Sequence, residues 1–169
     1  QQLFKSAAGT NIEEVLECVQ TRVTQEMNDD LTKPFSGEEV WEALQDMGDL
    51  KAPGADGISV IFYKKFWTMT GEKVKEAVLA VLNGEEMPHG WNDTIIVLIP
   101  KTKTPEKLKD LRPISLCNVV YKLISKVLAN RLKSVLPEII SASQSTFVPG
   151  RLITDNILVA YELTHYLNQ

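Results

Sequence analysis

The stretch Thr94–Lys133, TIIVLIPKTKTPEKLKDLRPISLCNVVYKLISKVLANRLK, is both the most apolar and the most basic part of the 169-residue chain. Thr94 to Ile99 is a run of β-branched and aliphatic residues closed by Pro100, which reads as a buried strand. Arg112 to Leu116 is a weaker second strand in which Ile114 and Leu116 alternate. The segment between them is polar, with lysines at 101, 103, 107 and 109, so the simplest geometry is an antiparallel hairpin with a long charged tip. Lys101 then leaves one strand where Arg112 enters the other. Two cations placed together repel unless an anion lies between them, and a phosphate meets that need.

Beyond the hairpin, Val119 to Leu136 gives the longest helix. Val120, Leu123, Ile124, Val127, Leu128, Leu132 and Val135 form an apolar stripe, while Lys122, Lys126, Asn130 and Lys133 form a cationic one. Pro137 is expected to begin a turn. A loop, SASQSTFVPGR, follows with Gln144 and Arg151, and a last helix is expected from Thr154 to the C-terminus.

On the N-terminal side, Met87 to Trp91 is a turn into the hairpin. Thr70 is expected to cap a helix from Gly71 to Leu82, whose Val74, Ala77, Val78, Val81 and Leu82 keep a helical period, and Asn83-Gly84 ends it. Ile58 to Trp67 reads as a short helix with Ile61, Phe62, Phe66 and Trp67 inward, a strand being the other reading. KAPGADG, residues 51–57, demands a tight loop with positive φ available at both glycines; it either positions the next helix or has a binding role. Ser36 and Glu39 make a capping box, with Phe35 and Val40 placed as a hydrophobic staple, so a helix follows from about Gly37 to Met47. Thr10 and Glu13 suggest another capping box before a helix ending near Gln20, and the residues from there to Lys33 read as a polar, acidic connector. The organisation is therefore residues 1–33, a helix and connector, and residues 34–169, one folded domain of α+β class, mainly helical with one antiparallel hairpin.

A net charge of −4 argues against a nucleic-acid binder, but the average hides a split: residues 1–100 hold 8 basic and 17 acidic side chains, residues 101–169 hold 10 and 5. Within Lys101–Lys133 the count is 9 basic to 2 acidic, a local field that attracts polyanions. A solvated lysine loop beside a charged helix face explains the same numbers. Cys18 and Cys117 have no CxxC or His spacing and suit buried thiols in a reducing, intracellular compartment, cytoplasm or nucleus ahead of an organelle, a disulfide being the less favoured reading. No run reaches the length of a membrane span, so no membrane partner is expected.

KAPGADGI, WNDTIIVLIPK, LRPISLCNVVYKLISKVLANRLK and QSTFVPGRLITDNILVAYELTHYL, in this order and spacing, resemble the N-terminal part of the reverse transcriptase of plant LINE-type (non-LTR) retrotransposons. Ala55 and Thr146 are small departures from the family pattern. The resemblance implies the fingers subdomain of a right-hand polymerase with the first palm helix and an incomplete palm. It implies that Lys101 and Arg112 face the triphosphate of an incoming nucleotide. Lys51, Gly54, Asp56 and Gly57 of the first loop, and Gln144 and Arg151 of the second, would lie along the template. Nucleotidyl transfer needs carboxylates that hold two divalent metals, and in the family these follow the segment matched here. The expectation is therefore no catalytic or metal-ligating residue, no cofactor in this chain with Mg²⁺ belonging to the full-length enzyme, and no polymerase activity from these residues alone. Two function readings follow. One is a remnant or co-opted domain that acts through an unknown protein partner or self-associates through helices that normally pack on the palm; the other is a fingers portion with weak RNA or DNA affinity.

Overall fold

The computed structural model describes residues 12–17, 19–141, 144–145 and 148–167. Its contacts divide into two units, residues 32–134 and the described parts of 1–31 with 135–169.

In the first unit, α3 (Gly37–Gln45) starts at Ser36, whose hydroxyl accepts from Glu39 N–H while the Glu39 carboxylate accepts from Ser36 N–H at 2.8 Å. This is the reciprocal box expected from the sequence. Next come α4 (Val60–Lys65), α5 (Trp67–Leu82), strands β1 (Thr94–Pro100) and β2 (Leu111–Cys117), and α6 (Val119–Ile139), which runs on past this unit. Val40, Ala43 and Leu44 of α3 meet Val60 and Tyr63 of α4, Val78 of α5 and Val119, Leu123, Ile124 and Val127 of α6 in one core. Each buried aliphatic side chain there contributes about 1.5–3 kcal/mol against exposure. Trp41 and Trp67 pack at the edge with ring centroids 4.9 Å apart and planes tilted by 34°, and Gly71 leaves the room that the Trp67 ring occupies.

Several expectations are corrected. Thr70 lies inside α5, its hydroxyl donating back to the Phe66 carbonyl, because the helix already begins at Trp67. In α4 the inward pair is Val60 and Tyr63; Phe62 and Phe66 lie half-exposed, 5.0 Å apart, since a six-residue helix buries little more than one turn of one face. In α6, Leu128 and Leu132 leave the apolar stripe for solvent. The strand pair is antiparallel, with Ile99 opposite Arg112. The apolar run is not buried: both faces of β1 are exposed, from Val97 at 39% to Ile96 at 57%. Residues that are apolar on both faces suit a strand covered on both sides. Here the ribbon stands with both faces to solvent.

In the second unit, α1 (Ile12–Glu17) is described but Cys18 and the expected cap Thr10 lie outside the described residues. The expected connector contains α2 (Gln25–Thr32), started by the Thr24 hydroxyl accepting from Met27 N–H. Pro137 does not end α6, which continues to Ile139. A proline forfeits one intrahelical bond, and the carbonyls near this helix end are taken up by Arg151: its guanidinium donates to Pro137, Ile140, Ser141 and Gln144 carbonyls at 2.6–3.3 Å. Arg151→Lys keeps the charge without the fork. Faster amide exchange over residues 138–141 is the expected result.

The final helix, α7 (Ile153–Leu167), begins where Asp155 accepts from Leu152 N–H. Its Leu158, Tyr161, Leu163 and Tyr166 are all more than half exposed. No described helix is long and apolar enough to cross a membrane.

Candidate nucleic-acid interface

The basic hairpin is organised by its register. Cross-strand partners share a face, so Arg112 lies on the side of Ile99. Lys101 comes two residues after Ile99, which by the strand alternation assigns it to the same side. The ladder reaches one step past the strands, Lys101 N–H donating to the Asp110 carbonyl at 2.7 Å. The Lys101 ammonium folds onto the Lys109 carbonyl at 2.8 Å and remains exposed. Among the described residues nothing hydrogen-bonds or ion-pairs with the Arg112 side chain. The tip closes on itself: Asp110 accepts from the backbone N–H groups of Glu106 and Lys107 before the Leu108–Asp110 3-10 turn. A cation held by a neutral carbonyl and a second with an open fork leave room for an anion with two or more oxygens.

The KAPGADG loop is latched to the root of this hairpin. Asn118, between β2 and α6, accepts from Asp56 N–H at 3.2 Å and donates to the Gly90 carbonyl at 3.1 Å. Lys122 donates to the Ala52 carbonyl at 2.7 Å. One side chain therefore joins the loop, the turn leading into β1 and the end of β2. Asp56 also accepts from Ile58 N–H, closing an Asx turn, and beneath it burial and the Asp56 charge push the Tyr63 phenol above its usual pKa. Gly57 has φ of +70°, as expected, but Gly54 does not take positive φ. It is buried, and a Cβ on it would lie 2.3 Å from the Asn118 backbone nitrogen. The sequence reading missed Asn118. Its one signal was an Asn just ahead of an apolar helical run, the mark of a helix start.

The predicted template-side residues divide by surroundings. Lys51, Asp56, Gly57 and Gln144 are exposed, whereas Gly54 is packed under Asn118 and the Arg151 fork is occupied by carbonyls. The cationic stripe of α6 is also largely committed. Lys126 pairs with Asp46 at 3.2 Å and holds that carboxyl below its ordinary range, and Lys122 serves the loop. Arg131 forks onto Glu39. Partner formation has converted much of the expected polyanion surface into internal struts, leaving the hairpin end as the more available basic feature.

Residues 99–169, beginning at the position opposite Arg112, match the family model for reverse transcriptase (RNA-dependent DNA polymerase). This segment is part of a reverse-transcriptase domain. Over 85% of its length the chain is 33% identical to the transposon TX1 uncharacterized 149 kDa protein of Xenopus laevis. It is 27% identical over 98% of its length to the probable RNA-directed DNA polymerase from transposon BS of Drosophila melanogaster. The retrovirus-related Pol polyprotein from the type-2 retrotransposable element R2DM of the same fly is 31% identical over 72% of the chain. The chain spans 11%, 19% and 12% of these three proteins. The reverse-transcriptase segment holds β2, α6 and α7 with the last residues of β1, so Lys101, Arg112, Gln144 and Arg151 lie inside it and the KAPGADG loop precedes it.

Proposed function

We propose that this chain is the fingers portion, with the first palm helix, of a LINE-type reverse transcriptase of the plant kind, and that its hairpin end binds nucleotide or nucleic-acid phosphate through Lys101 and Arg112. What supports this reading is that Arg112 pairs with Ile99 and that Lys101, two residues on, bonds the Asp110 carbonyl, so the two cationic residues share one end of the ribbon inside the matched segment. Lys51, Asp56, Gly57 and Gln144 offer contacts to a template strand, while Gly54 and Arg151 act through the backbone they hold.

Expected behaviour is weak RNA retention with a steep salt dependence. Lys101→Ala with Arg112→Ala removes two phosphate contacts and lowers the logarithmic salt slope by about 1.4 for a single strand. Filter retention between about 50 and about 300 mM salt measures it. An unchanged slope removes the assignment.

We further propose that these residues do not polymerise alone. Two-metal transfer needs converging carboxylates, and the described residues do not fit that need: they contain no group of three or more metal-ligating side chains, and Asp56, Asp110 and Asp155 are engaged by backbone N–H groups. Mg²⁺ belongs to the full-length enzyme on this reading. Primer extension by the isolated chain would overturn it.

A second reading, a domain that works by self-association or through another protein, is favoured by the apolar exposure of α7. Light scattering of a strict monomer at tens of micromolar would count against it.

A further inference from the structure

The hairpin carries one open strand edge and one blunted edge. Because Lys101 N–H bonds the Asp110 carbonyl, the alternation of an antiparallel ladder makes Ile99–Arg112, Val97–Ile114 and Ile95–Leu116 the hydrogen-bonded pairs. Thr94, Ile96, Leu98 and Pro100 therefore turn their backbone groups outward on β1. Leu111, Pro113, Ser115 and Cys117 do so on β2. Both prolines fall at outward positions, where a missing N–H costs the ribbon nothing. On β2 the gap is central and disables that edge as a template. On β1 it is terminal, and among the described residues nothing bonds the outward donors of Thr94, Ile96 and Leu98, which lie beside side chains with no charge from 94 to 100.

We infer that β1 is a self-pairing surface whose occupant is β1 of a second copy, antiparallel about a two-fold axis at Val97. The inference rests on the self-association reading for the fact of assembly and goes beyond it by naming the surface. In this register Ile96 of each copy exchanges both backbone bonds with Leu98 of the other, and each Thr94 N–H meets a Pro100 carbonyl. One step further, Lys101 of one copy comes opposite Asp93 of the other, at both ends. Asp93 is exposed, and the Lys101 ammonium can turn to it from the Lys109 carbonyl. Shifting the register by two residues shortens the apolar overlap and separates these charges. A two-fold pairing consumes the open edge of both copies and leaves only the edges interrupted by Pro113, so it closes at a dimer.

Sedimentation velocity at tens of micromolar tests this. The unaltered chain is expected to be a dimer. Ile96→Pro removes an outward donor while keeping the ladder within the hairpin, and is expected to give a monomer with unchanged circular dichroism. Asp93→Lys and Lys101→Asp are each expected to weaken the dimer about tenfold, and the double exchange to restore it. A monomeric unaltered chain overturns this inference together with the self-association reading. A dimer that survives Ile96→Pro with native circular dichroism overturns the edge alone and leaves the helices. If Ile96→Pro loses its native spectrum, the charge exchange decides, and failure of the double variant to restore the dimer overturns the inference.

Discussion

Replacing Arg131 with alanine is expected to lower stability by about 3–5 kcal/mol, the cost of orphaning one half of a poorly solvated ion pair. Arg131 lies on α6, 92 residues from Glu39, and binds it through two nitrogens, Nε to Oε1 at 2.6 Å and Nη2 to Oε2 at 2.9 Å. The same guanidinium donates to the Lys33 and Pro34 carbonyls and lies 3.6 Å over the Phe35 ring. Its side chain is 8% exposed. Glu39 meanwhile completes the cap of α3, so a single carboxylate serves both the helix start and its attachment to α6. That double duty holds its pKa at about 2, against 4.5 for the free side chain, chiefly through the bond from Arg131.

The sign of the pH dependence follows. A folded pKa below the unfolded one gives stability that is complete above about pH 4.5 and lost as pH falls toward 2. The window is worth about 3 kcal/mol. Glu39→Gln should unfold more easily at neutral pH and show a flatter stability curve between those limits. Urea titrations at several pH values measure both. An Arg131→Ala protein as stable as the parent would mean that the fork and the stacked Phe35 are ornaments on a packed core.

What was legible in the sequence was local. The Ser36–Glu39 box could be read because both partners lie within one turn, and the hairpin because its strands flank one segment. The two cations were placed at its end by where one strand stops and the other starts. Long-range partners left no such trace. Lys122 and Lys126 looked like a solvent-facing stripe until Ala52 and Asp46, 70 and 80 positions away, came to meet them. α2 escaped notice because it has no buried face, only the Thr24 cap and favourable residues. The exposure of β1 was misread for a related reason. Composition reports what a strand could bury, and only its neighbours determine what it does bury.

Gly54 to alanine is expected to be the most damaging change in the loop, although it adds one methyl group. The new carbon would sit 2.3 Å from both the Asn118 backbone nitrogen and its side-chain oxygen and 2.5 Å from the Cys117 carbonyl carbon. Those atoms are backbone or held by hydrogen bonds, so the loop rather than its neighbour must move. Movement would break the Asp56 N–H and Lys122 bonds together, a loss of about 2–4 kcal/mol when two bonds and the displaced packing are counted. Gly57→Ala is the control, since a Cβ there meets nothing within 4 Å and only the φ of +70° opposes it. That should cost about 1–2 kcal/mol. Thermal unfolding of the two variants separates close approach from backbone handedness. If the loop is a template contact set by its latch, Gly54→Ala should also weaken RNA retention at temperatures where the protein is still folded, whereas Gly57→Ala should do so less. Equal effects of the two substitutions on stability would show that the loop yields freely, and Asn118 would then be a passive neighbour instead of the post to which the loop is tied.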